Sequence, residues 1–71
     1  MTKYWEEAVE YVRKNFTVEE AVLIKVPKAS EAYHFNGSIG FIVEFKREWV
    51  ILKVSGNYHR FRGDEILKLS I

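Results

Sequence analysis

Near the N-terminus the apolar residues recur at helical spacing. Trp5, Ala8, Val9, Val12 and Phe16 stand at i, i+3, i+4, i+7 and i+11 and share one face. Glu6, Glu7, Glu10, Arg13 and Lys14 take much of the other. The pattern predicts an amphipathic helix over 3–15, with Thr2 as its N-cap. Acids come early and bases late, as the helix dipole prefers, and Glu10 and Lys14 form a favourable i, i+4 pair. Thr17-Val18-Glu19-Glu20 has the form of a capping box. It suits one helical turn or the lead-in to a strand equally well, because Val22-Leu23-Ile24-Lys25-Val26 is strongly β-prone and Pro27 limits it.

From there the period is two. Phe41, Val43 and Phe45 fall on one face of a strand, as do Val50, Leu52 and Val54 of the next, with Trp49, Ile51 and Lys53 opposite. Tyr58-His59-Arg60-Phe61 follows, and then Leu67, Leu69 and Ile71 alternate with Lys68 and Ser70. Turns are expected at Lys46-Arg47-Glu48, at Ser55-Gly56-Asn57 and at Arg62-Gly63-Asp64. Lys28 to Asn36 is irregular and ends in an Asn36-Gly37 turn. Gly40 predicts a bulge or a sharp bend. These elements specify a mainly β chain: one domain over 1–71, with an N-terminal helix and a small, five-stranded, bent β-barrel over 20–71.

Size narrows the choices. A chain of 71 residues buries only about 60% of its unfolded surface. With so much aromatic and aliphatic content, some apolar side chains must face outward and favour a partner or self-association. The chain holds no cysteine, so disulfides and thiolate metal sites are excluded. No apolar run approaches the roughly 20 residues of a membrane span, and no apolar signal core is present, so a cytoplasmic protein without membrane contact is expected. Residues 1–24 carry three basic and five acidic side chains, and residues 25–71 carry eight basic and five acidic. A mildly acidic helix thus precedes a mildly basic barrel.

Catalytic signals are sparse. His34 and His59 lack any metal-ligand spacing. The serines have no nucleophile elbow around them. Gly37-Ser38-Ile39-Gly40 matches neither nucleotide fingerprint. Arg62-Gly63-Asp64 reads as a turn between strands, not an adhesion site. A non-enzyme without cofactor or metal is expected. The cations and rings carry more: Lys46 and Arg47 at one turn, Arg60 and Arg62 around Phe61, and Tyr33, His34 and Phe35 in the long loop. Single-stranded nucleic acid is held by such a mixture, cations meeting phosphates and rings stacking on bases. The competing reading puts Phe35 and Phe61 in the core and leaves the cations solvated.

Gly40-Phe41-Ile42-Val43-Glu44-Phe45, Trp49-Val50-Ile51-Leu52-Lys53 and Phe61-Arg62-Gly63-Asp64-Glu65-Ile66 resemble the strand and closing-turn signatures of the Sm-like (Hfq-like) small β-barrels. That resemblance implies a non-enzymatic RNA-binding ring. Lys46 and Arg47 would mark one RNA-facing turn and Arg62, Gly63 and Asp64 the other, with Tyr33 or Phe35 stacking on bases. The ring would form by pairing Tyr58–Phe61 of one copy with Leu67–Ile71 of the next. Lys46 stands where Sm-like proteins usually carry Asp, and no Asn follows at the base-binding position. Val26-Pro27, the following loop, Gly37-x-x-Gly40 and Asp64-Glu65-Ile66 also resemble SH3-like barrels such as the variable chain of ferredoxin–thioredoxin reductase. That likeness implies an accessory subunit docking on a larger protein, with Trp49, Ile51, Tyr33 and Phe35 in the contact. Tyr58 and Phe61, from the ring-pairing edge, are expected at a protein interface as well.

Overall fold

The computed structural model describes residues 2–69. Helix α1 spans Thr2–Asn15 and five strands follow: β1 Ala21–Ile24, β2 Ile39–Phe45, β3 Val50–Val54, β4 Asn57–Phe61 and β5 Ile66–Lys68. The strands form one antiparallel sheet in the order β4-β3-β2-β1-β5. The described residues are therefore mainly β with an N-terminal helix. The expected closed barrel is not formed. Among the described residues β4 and β5 are the two sheet edges and do not pair with each other. The last expected strand is short, and Ser70 and Ile71 lie outside the described residues.

One side of the sheet and one stripe of the helix make the core. Val22 and Ile24, Ile42, Val50, Leu52 and Val54, Phe61 and Ile66 are buried together with Val9 and Val12 of α1 and Phe16 just beyond its end. The helical spacing read from the sequence is the reason: those three residues share the stripe that meets the sheet. Thr2 belongs to the helix itself and not to its cap. Lys68 ties the other end down. Its ammonium donates to the Asn15 carbonyl and lies 4.5 Å from the Phe16 ring. A cation near a helix C-terminus is favoured by the dipole.

Thr17–Glu20 is a turn, not a helix. Glu20 Oε1 accepts from the Thr17 N–H at 3.0 Å and the Glu20 N–H donates to the Thr17 carbonyl. This half of a capping box closes the turn and hands the chain to β1. Glu19 takes a left-handed backbone there, with φ of 77°. The strand expected to reach Val26 stops at Ile24. The Lys25 N–H then donates to the Glu65 carbonyl and the Val26 N–H to Asn36 Oδ1, so the chain leaves the ladder with its donors satisfied. The irregular segment contains a short 3₁₀ turn, Glu31–Phe35, whose first turn Ser30 caps.

The strand around Gly40 carries the expected bulge, and one expectation about its faces is corrected. Gly40 itself stays in the ladder. It pairs with Val22, and a Cβ there would lie 3.2 Å from both Leu52 Cδ1 and Val54 Cγ2, so glycine lets β2 approach the core. The bulge falls at Val43: Ile42 pairs with Leu52, and the next pair is Glu44 with Ile51. The extra residue reverses the alternation. Phe41 therefore faces outward and is exposed, while Phe45 packs against the core, so Phe41, Val43 and Phe45 do not share a face. Among the described residues no helix is long and apolar enough to cross a membrane.

Candidate interaction surface

The turn cations differ: Lys46 and Arg47 pair at the surface, with the Arg47 side chain 82% exposed, and Arg62 is held within the molecule. Arg47 at the β2–β3 turn donates to Glu6 of α1 at 2.6 Å. Lys46 sits 3.9 Å from Glu44, both exposed. Arg62 is held on three sides. Its guanidinium lies 3.8 Å from the Trp49 ring centroid and 4.5 Å from that of Trp5, and it donates to Glu48 at 3.0 Å. Arg62 and Glu48 are each only 25% exposed. A planar, weakly hydrated guanidinium suits such a stack far better than an ammonium does. Arg60 adds a second cation over Trp49, at 4.4 Å. Trp49 is thus half-buried, with Arg62 bridging it to the helix.

The rest of the Arg62–Asp64 turn is also a packing element. Gly63 is buried, and a Cβ there would fall 2.5 Å from the Ala8 carbonyl group, so only glycine allows the helix to lie this close. Asp64 accepts from the Tyr4 hydroxyl at 3.2 Å. That hydrogen bond, and then the carboxylate's charge, raise the Tyr4 pKa. The signature that the resemblance places toward RNA fastens α1 to the sheet.

The loop aromatics go elsewhere. Phe35 is half-buried and its ring meets His34, His59 and Phe61, at centroid distances of 4.1, 4.5 and 5.5 Å. Tyr33 is exposed on the same 3₁₀ turn. Phe61 is 1% exposed and belongs to the core, which corrects its assignment to an interface. Its inward position follows from its pairing with buried Val50. Ile51 is half-buried on the opposite face, and Tyr58 is 64% exposed. Among the described residues no three His, Asp or Glu side chains converge as a metal-ligand set.

The expected interface residues Ile51 and Tyr58 lie on the outward face of the sheet, and the sequence pattern does not reveal that Ile39 and Phe41 share it. Ladder partners share a face, so register alone builds it. One row runs Ala21, Phe41, Lys53, Tyr58 across β1, β2, β3 and β4. A second runs Ile39, Leu23, Leu67 across β2, β1 and β5. Phe41 is 50% exposed, and Ile39 and Leu67 are each 45% exposed. Val18, in the turn before β1, joins them. An open groove of about 410 Å³ lies on this face between Val18, Phe41, Val43 and Tyr58, with Glu19 and Lys53 at its rim. The bulge at Val43 explains the omission, because it alone turns Phe41 outward relative to Phe45. The chain matches no family model, and no curated protein and no solved structure matches it significantly.

Proposed function

We propose that this chain is a non-catalytic interaction module that docks a protein partner through the outward face of its sheet. The observation that carries this reading is the set Ile39, Phe41, Tyr58 and Leu67, large apolar side chains left exposed on one face of the sheet in two ladder rows. Exposed apolar patches with a polar rim mark association sites. The engagement of Arg62 within the molecule also favours docking over phosphate binding at that turn. The long connection between β1 and β2 fits the SH3-like layout that goes with a docking role.

A photoreactive benzophenone amino acid placed at position 41 or 58 in cells, with position 7 as control, tests this. Adducts that form at 41 and 58, resist nuclease and yield to protease are expected. Nuclease-sensitive adducts, or none beyond the control, would overturn the reading.

One observation favours a second reading, the Sm-type ring. Its edge pairing needs β4 and β5 to be free, and they are the two sheet edges. An assembly of about five to seven copies that binds RNA, with affinity falling on Lys46→Ala, is what that reading requires. A monomeric or dimeric particle excludes it.

A further inference from the structure

Two charges of opposite sign without an ion pair, Glu19 and Lys53, flank Phe41 on the outward face, where Arg60 stacks on Trp49. Glu19 lies on the β1 side of β2, its N–H donating to the Ile42 carbonyl. Lys53 lies on the β3 side, paired across the ladder with Phe41. Both line the groove next to Phe41, yet they form no ion pair with each other. Among the described residues neither has any other ion-pair partner, whereas the neighbouring carboxylates Glu20, Glu44 and Glu48 are each paired with a cation. Lys53 instead hovers 6.0 Å from the Tyr58 ring.

We propose that the partner of this face is a second copy of the chain, in a two-fold symmetric dimer centred near Phe41. This rests on the docking reading above and names its occupant. In an isologous interface residue i meets j and j meets i. A two-fold axis close to Phe41 brings Glu19 of each copy to Lys53 of the other, so one apolar patch and two unmatched charges complete themselves. A uniformly acidic or basic partner would match one of the two charges and oppose the other. A nucleic acid would meet Lys53 and Arg60 but also Glu19 and Glu44 on the same side of the sheet.

A standard interface covers about 800 Å² per partner, about one sixth of a surface of 4961 Å². The groove gives an aromatic ring of the facing copy a place to insert, as buried anchors at interface centres do.

Sedimentation equilibrium over micromolar to millimolar concentrations tests the proposal, with circular dichroism confirming that each variant is folded. The wild type is expected to approach the mass of two 8.4 kDa chains. Glu19→Lys and Lys53→Glu should each weaken self-association at least about tenfold, since like charges then meet twice. The double variant should regain it, and an equimolar mixture of the two single variants should form a heterodimer. A wild type that stays monomeric, a ring-sized particle, or a dimer indifferent to both charge reversals would overturn the proposal. A monomer whose position 41 still forms adducts with another protein sinks the dimer but leaves the docking reading standing. A monomer with no such adducts sinks both.

Discussion

At Gly63 the backbone of α1 passes so close that a single methyl group has nowhere to go. A Cβ would sit 2.5 Å from the Ala8 carbonyl carbon and oxygen, atoms that cannot rotate away. Gly63→Ala should therefore cost about 2–3 kcal/mol, the upper range for overpacking a filled site, measured as a lower urea midpoint. An unchanged midpoint would mean that the helix rides loosely on this turn. The β3–β4 hairpin offers the opposite sign. Ser55 and Gly56 are its two central residues and both have positive φ, at 53° and 85°. A two-residue loop with this backbone prefers Asn-Gly, so Ser55→Asn should raise stability by about 0.5 kcal/mol. Glu20 gives a pH signature. The Thr17 N–H, and then Lys68, hold its carboxyl below the usual glutamate range. A depressed folded-state pKa means that the unfolded chain takes up the proton first. The contribution is complete above the ordinary glutamate range and drains away as the pH falls through the folded value. Glu20→Gln should therefore flatten the acid limb of a melting-temperature profile, and an unaltered limb would assign acid sensitivity elsewhere.

At the scale of elements, the helix and the strands differ in how much the chain reveals. The apolar stripe of α1 is legible because a 3.6-residue period survives any choice of partner, and Val9, Val12 and Phe16 are buried as that period requires. In β2 the pattern misleads. Phe41, Val43 and Phe45 alternate cleanly, but a bulge adds a residue without changing composition, so the ladder register alone reveals that Phe41 and Phe45 face opposite ways. The Arg62–Asp64 turn is legible as a turn and opaque in its role. Nothing local says that Trp5, distant in sequence, will close one side of the Arg62 stack. The stack itself is testable. Arg62→Lys keeps the charge but loses the flat fork between two indoles, and should cost about 1–2 kcal/mol with a clear change in tryptophan fluorescence. A variant matching wild type in both would make Arg62 a solvated cation, free for phosphate.

For the molecule as a whole, small size makes every core contribution weigh heavily. At the usual stability per residue, 71 residues support about 4–11 kcal/mol. Phe61 and Tyr58 lie three residues apart on β4 and point to opposite faces, one 1% and the other 64% exposed. Phe61→Ala should therefore consume much of that total, about 3–5 kcal/mol. Tyr58→Ala should stay within about 0.5 kcal/mol and act on association alone. The helix poses the larger question, because an open sheet with unpaired edges has one side to cover and little else to cover it. Val9 and Val12 are 1% and 0% exposed, so α1 is the lid of the core and not an appendage. Deleting residues 1–15 should thus abolish cooperative thermal unfolding followed by circular dichroism, while exposed-face variants such as Phe41→Ser keep it. If the truncated chain still melts cooperatively, the sheet closes on itself when the helix is gone. The bent barrel expected from the strand pattern would then be a state that α1 holds open.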